Sequence, residues 1–231
     1  MKKIMFNDRF GLTQAVLDGR KTMTRRIMKV PKKFMGEEDL TLEYHQRLTE
    51  NKHFYDCVVC DADGYELGQM PLPYEVGEVV AIAQRYKDCW DYYQKQWEAR
   101  NDSSDWHTPD AILGDTVQET KGWTNKMFVN PNLMPWKIAI DNLWFERLQD
   151  ISEEDCMREG IFKYDKPPLH HEMDRFAPWL PYVKPYKFDL DNLQYRATAR
   201  DAFAALIDRV NGRGTWERNP WVVAYSFELI K

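Results

Sequence analysis

Leu17-Asp18-Gly19-Arg20-Lys21-Thr22-Met23-Thr24-Arg25-Arg26 is the stretch on which the reading of this chain turns. Just before it, Phe10, Ala15, Val16 and Leu17 fit a short amphipathic helix, with Asp8 as its expected N-cap. Gly19 stands where a left-handed C-cap glycine belongs. Lys21 to Arg26 therefore begins just past a helix end, in extended or loop backbone, a good place to display side chains over a cleft. In a fully extended segment Lys21 and Thr24 point to opposite faces, so their convergence requires a turn within 21–24.

Working outward, Lys3 to Phe6 reads as a short strand, and residues 30–52 are polar and mixed, with no clear repeat. Phe54–Val59 and Tyr65–Met70 read as a hairpin around Asp63-Gly64, closed by Pro71 and Pro73. Gly77 supplies a turn before a buried strand over Val79–Ala83, and Lys137–Leu148 is a further strand. Ser152 is the expected N-cap of a short helix with an acidic first turn that ends at Gly160. Thr198–Val210 is a helix with Ala202, Phe203, Leu206, Ile207 and Val210 on one face. Asn211-Gly212-Arg213-Gly214 breaks it, and Trp221–Ile230 alternates as a closing strand. Two stretches fit no regular pattern. Residues 90–125 read as an exposed helix over Trp90–Arg100 followed by a loop insertion, and 163–195 as a second, proline- and aromatic-rich insertion. With no internal repeat and no low-complexity linker, the expectation is one α+β domain over 1–231 with insertions at about 90–125 and 163–195.

A chain with 43% hydrophobic residues has enough apolar side chains for a core. No stretch approaches the roughly 20 apolar residues of a membrane span, and the start lacks the apolar region of a signal peptide. A cytoplasmic protein without membrane association is expected. The formal charge of −5 argues against a general nucleic-acid coat, which depends on many Lys and Arg contacts, but leaves room for a small basic cleft. Cys57 and Cys60 form a CxxC, yet Cys89 and Cys156 make no second close pair, so free buried cysteines rather than a zinc site are expected. The adjacent His170 and His171 with Glu172 are poorly placed to share one ion and belong to the second insertion. No cofactor or metal is expected.

Three segments resemble the ASCH family of bacterial and phage proteins, whose fold is similar to the PUA domain of RNA-modifying enzymes. Gly19-Arg20-Lys21-Thr22-Met23-Thr24-Arg25-Arg26 is similar to the family's G-R-K-T-x-T-x-R signature. Tyr74-Glu75-Val76-Gly77-Glu78-Val79-Val80 is similar to its G-[DE] turn and barrel strand. Leu148 through Ile161 resembles its helix after the next strand, and Asn219-Pro220-Trp221 a later strand of phage-borne members. The resemblance implies a PUA-like β-barrel with flanking helices. It also implies an activity, because a small bacterial member removes the acetyl group from N4-acetylcytidine. Carried over by motif, its functional Lys, Thr and Glu fall on Lys21, Thr24 and Glu159. That enzyme is much shorter, and its motif ends Arg-Asp where this chain has Arg26-Ile27.

Amide hydrolysis needs an activated nucleophile, a proton shuttle and stabilisation of an oxyanion. A threonine hydroxyl is inert until a base takes its proton, and a lysine serves as that base if burial or neighbouring cations lower its pKa. Glu159 is then placed to hold the lysine or return the proton. Arg20, Lys21, Arg25 and Arg26 alternatively form a phosphate grip of a non-catalytic RNA- or nucleotide-binding module, or simply a solvated face. Trp136, Trp216 and Trp221 read as core. Of these, Trp216, beside flexible glycines, is the candidate for stacking on a base, with Arg213 on a phosphate. RNA or a modified nucleoside is the expected partner. A third reading is a phage-associated interaction protein working through its insertions. A pocket sized for one base favours the enzyme, and an open basic groove the binding module.

Overall fold

The computed structural model describes residues 1–49, 52–100, 108–163, 186–187 and 196–230. The chain is α+β. A mixed five-stranded sheet runs in the order β1 (Lys3–Ile4), β6 (Val79–Ile82), β7 (Lys137–Arg147), β10 (Trp221–Ile230), β2 (Met23–Ile27). A separate antiparallel sheet holds β3 (Thr41–Thr49), β4 (Lys52–Cys60) and β5 (Glu66–Gln69). Phe162–Lys163 (β8) pairs with Tyr186–Lys187 (β9). The helices are α1 (Leu12–Leu17), α2 (Tyr86–Arg100), α3 (Pro109–Leu113), α4 (Glu153–Arg158), α5 (Ala199–Asn211) and α6 (Thr215–Arg218).

Among the described residues the five-stranded sheet does not close into the expected barrel. Its edges are β1, only two residues long and parallel to β6, and β2, which pairs on one side with β10. Trp221–Ile230 is accordingly not an edge that closes the sheet. It lies inside the sheet between β7 and β2, and Val222 to Phe227 are buried without alternation because both faces are covered. The small sheet packs against the large one through Tyr44, whose ring stacks on Trp221 at 4.1 Å and tilts against Phe145 at 5.5 Å.

Strand alternation also explains why there are two hydrophobic clusters. Val80 and Ile82 enter the larger one with Ile138, Phe203 and Tyr225, while Ala81 and Ala83 enter a smaller one with Tyr86, Cys89, Leu113 and Val117. The described part of 90–125 is therefore no loose loop. Helix α2 starts at Tyr86, four residues before Trp90. Then α3 and a run of 3-10 turns pack beside it to bury the second face of β6. The apolar residues there (Leu113, Val117, Trp123, Val129) are too widely spaced to register as a periodic pattern. Residues 30–52, which show no pattern in sequence, contain β3, which pairs with β4 along its whole length. Of 163–195, only Lys163 and Tyr186–Lys187 are described, and the His170, His171, Glu172 reading lies outside the described residues. The hairpin around Asp63-Gly64 and the Ser152 cap are as expected. No helix among the described residues is long and apolar enough to cross a membrane.

Two helix ends fix the position of the signature segment. Asn7, not Asp8, caps a 3-10 turn over Asp8–Phe10, and a left-handed Gly11 delays α1 to Leu12. At the other end of α1, Gly19 N–H donates to Val16 O and Arg20 N–H to Ala15 O, both at 2.9 Å, the paired bonds of a Schellman cap. Helix α4 ends the same way, Gly160 N–H donating to Met157 O at 3.0 Å and Ile161 N–H to Cys156 O at 3.3 Å. The two caps lie against each other, since a Cβ on Gly160 would sit 3.4 Å from Leu12 Cδ2 and 3.6 Å from Lys21 Cδ.

Both glycines have positive φ, but the 74° of Gly19 lies close to the left-handed region open to other residues and the 103° of Gly160 well outside it. Gly19→Ala is expected to cost about 1 kcal/mol of stability from the backbone alone. Gly160→Ala should cost distinctly more, and urea denaturation of the two variants side by side checks the order.

Candidate functional site

The segment after Gly19 does not run straight into a strand. Lys21 N–H still bonds Ala15 O at 2.9 Å, and Thr22 N–H bonds Arg158 O at 2.9 Å, so β2 begins only at Met23. This cap supplies the turn that lets Lys21 and Thr24 border one cleft instead of pointing apart. Lys21, Thr24, Arg25 and Glu159 are all buried, an unusual fate for the three charged ones unless they are paired with one another.

Here they are paired. Lys21 Nζ donates to Glu159 Oε2 at 2.5 Å and to the Glu159 carbonyl at 2.8 Å, joining residues 138 positions apart in sequence. Arg25, its side chain 1% exposed, spreads its guanidinium over three carboxylates. Its Nε donates to Glu146 Oε1 at 2.6 Å, Nη1 to Glu159 Oε1 at 3.2 Å and Nη2 to Asp155 Oδ2 at 3.1 Å. The remaining oxygens are met as well: Trp144 Nε1 donates to Glu146 Oε2 at 2.9 Å, and Arg158 Nη1 stands 3.5 Å from Asp155 Oδ1. Glu159 is thus held on one oxygen by Lys21 and on the other by Arg25. Burial lowers the pKa of Lys21, against the opposing attraction of Glu159 and with help from the Arg26 and Arg25 charges. For Arg25, burial pulls downward but is outweighed by Glu159, Glu146 and Asp155, and its pKa is raised.

These contacts correct part of the phosphate-grip reading. Arg25 is spent on internal carboxylates and closed to solvent, and Lys21 is spent on Glu159. Arg20 lies outside the cleft, paired with Asp18 at 3.0 Å and lying over the Phe162 ring. Arg26 is the cation left beside the cleft, half-buried over the Phe6 ring with Nη2 donating to Met5 O at 2.8 Å. Trp216 and Arg213 are not brought to the cleft. Trp216 packs edge-on against Phe203 at 6.1 Å with Arg200 across its face, and Arg213 is exposed on the turn before α6.

The cleft has a volume of about 280 Å³. Its polar rim is Lys21, Thr24, Glu159, Arg26 and Asn7, and its apolar wall is Phe6, Leu12 and the α5 side chains Phe203, Leu206 and Ile207. The hydroxyl of Thr24 is not hydrogen-bonded to Lys21, nor to any other group among the described residues. In sequence the α5 wall carries only the signal of a core face. Its residues are buried like core, and nothing in the periodicity marks which of them also meet a cavity. Asn7 has a single sequence signal, its position just before a helical turn, which its Oδ1 fulfils by accepting from Arg9 N–H at 3.0 Å. All four cysteines are free and buried, and no cluster of metal-ligating side chains occurs among the described residues. Comparison of the chain with protein-family models, curated proteins and solved structures gives no match.

Removing one member of a buried charge network leaves its partners uncompensated. Arg25→Met is expected to lower stability by about 3–5 kcal/mol. Arg26→Met, at a half-exposed position, should change it by about 0.5 kcal/mol or less. Denaturant midpoints of the two variants test the assignment of Arg25 to the interior.

Proposed function

We propose that this chain is an ASCH-type hydrolase of a small amide on a modified nucleoside, of the N4-acetylcytidine kind, working at the cleft between β2, α4 and α5. The observation that carries the reading is the 2.5 Å contact of Lys21 Nζ with Glu159 Oε2 at a cleft that Thr24 also borders. These are the three positions that the resemblance assigns, two on one segment and Glu159 from 138 residues beyond Lys21. Kinship with the PUA-like fold belongs to the same proposal and rests on the motifs together with the α+β architecture. The cleft volume, near the lower end of the roughly 300–1,000 Å³ typical of ligand pockets, suits a single base better than a strand.

In this mechanism the Thr24 hydroxyl attacks the acyl carbon as the neutral Lys21 amine takes its proton. Burial favours that neutral form. The oxyanion that forms is met by donors on the rim, for which Arg26 and the Asn7 amide are placed. As the C–N bond breaks, the Lys21 ammonium gives its proton to the departing exocyclic amine. Glu159, fixed by Arg25, keeps the ammonium in place and offsets its charge in the buried site. Water then hydrolyses the threonyl ester, giving the carboxylic acid and restoring Thr24. A non-catalytic binding module is less well supported, because three of the four cations that it needs are engaged by carboxylates.

Acetate release from N4-acetylcytidine is the direct test. Wild type should turn over, while Lys21→Ala, Thr24→Ala and Glu159→Gln should each lose about 10²-fold or more in kcat/KM with folding retained. No turnover by wild type on N4-acetylcytidine or related acylated nucleosides would sink the proposal.

The pH profile gives a second check. Because Lys21 acts unprotonated, kcat/KM should rise with pH through a limb lying below the ordinary lysine value of 10.5. A flat profile, or a limb at or above that value, would remove Lys21 from the role of base.

A further inference from the structure

A second and larger cleft, of about 640 Å³, lies on the far side of the Asn7–Leu17 segment. Asn7 and Leu12 border the first cleft, whereas Asp8, Gly11 and Thr13 border the second, which continues to α2 at Asp88, Asp91 and Tyr92. Most of its charge is already spent inside the protein. Arg85 holds Asp88 through two bonds of 2.8 Å, and Asp8 receives Lys126 Nζ at 2.7 Å and the Thr13 hydroxyl at 2.5 Å. Asp91 and Lys95 sit one helical turn apart and balance each other in sign. A strongly charged ligand of either sign would meet as much repulsion as attraction there.

What is not spent is Gln84. Its side chain borders the cleft and is 6% exposed, yet its Oε1 has no hydrogen-bond partner among the described residues. A buried amide oxygen without a donor is costly; it is closed off where it stands, and half a turn about the terminal side-chain torsion is the movement that would present it to the cleft. Aromatic surface stands on the same cleft. The Tyr92 and Trp136 rings both border it, their centroids 4.3 Å apart and tilted by 57°. An amide short of a partner, two aromatic rings and self-cancelling charge together describe a ligand. It is neutral, flat and able to donate an N–H bond.

We propose that this cleft is a second binding site, taking a nucleobase whose N–H group pairs with the Gln84 amide while its face lies on Trp136 or Tyr92. The site stands on Gln84 and the two rings. The choice of a nucleobase among flat N–H donors rests on the proposed nucleoside hydrolase function. Base–aromatic stacking tolerates any base, so the selectivity falls to Gln84.

The test is a titration of the intact chain followed by side-chain amide and indole NMR, with cytidine and a cytidylate tetramer as probes. Saturable binding should move the Gln84 amide and Trp136 indole resonances. Gln84→Leu should weaken it by about tenfold, and Trp136→Ala by about tenfold or more. Tyr92→Ala, at a partly exposed position, is the companion variant if Trp136→Ala fails to fold. Binding of cytidine assigns the site to a free nucleoside, and binding of the tetramer alone assigns it to a base held in a strand. Resonances unmoved by either probe, or binding unchanged in folded Gln84→Leu, would overturn the proposal. Acetate release does not enter this readout, so failure here leaves the hydrolase reading standing and the two failures are told apart.

Discussion

The Arg25 guanidinium is the constraint on which the arrangement depends. It stands on β2, and its three arms reach Glu146 on β7, Asp155 on α4 and Glu159 at the end of α4. A buried Glu159 and half-buried Glu146 and Asp155 could not sit side by side without it, since each would repel the others and lose hydration. With Arg25 present, β2, β7 and α4 have one relative position that satisfies every charge. Lys21 then completes Glu159, and Arg158 approaches Asp155 while donating to Thr22 Oγ1 at 3.3 Å. Burial in hydrocarbon alone would tolerate small slips of α4 along the sheet, because apolar contact is not directional. A planar fork over three acceptors does not tolerate them.

The apposed Schellman caps serve the same end. A helix terminus leaves carbonyls without partners, and each cap meets that need within its own chain segment. One cap delivers Lys21 and the other delivers Glu159. At φ 103° Gly160 turns the chain out of α4 beside the Lys21 stem, a backbone conformation that a residue with a Cβ rarely adopts. The strict geometry of the ion pair is thus set by backbone conformation at two glycines, rather than by long flexible side chains searching for each other.

Much of this is legible in the sequence, and the limits are physical. Gly19 and Gly160 as helix ends, Ser152 as a cap and the long strands β7 and β10 follow from local rules that depend on a few neighbouring residues. The convergence of Lys21, Thr24 and Glu159 is reachable only through the family resemblance, because no local pattern links residues separated by 138 positions. The fate of Arg25 escapes sequence reading for the same reason. A run of four cations within seven residues looks like a surface, and the three carboxylates that absorb Arg25 lie about 120–135 residues away. Strand β3 escapes it because its order comes from pairing with β4, not from its own composition. The packed segment after α2 is equally hidden, because its few apolar residues answer to the alternate face of β6 and carry no period of their own.

The same charges decide between surface recognition and recognition by shape. Of Arg20, Lys21, Arg25 and Arg26, the middle two are neutralised within the network, and Arg20 is offset by Asp18. Arg26 alone remains to meet an anion at the cleft, on a chain whose formal charge is −5. A protein that relied on counterion release would need several such contacts, and each missing one removes a share of its affinity. Recognition here must draw on what the cleft does offer, an apolar wall from Phe6 and α5 facing a rim of a few fixed polar groups. That combination favours a ligand chosen by the outline and hydrogen-bonding edge of one ring system over one chosen by its charge.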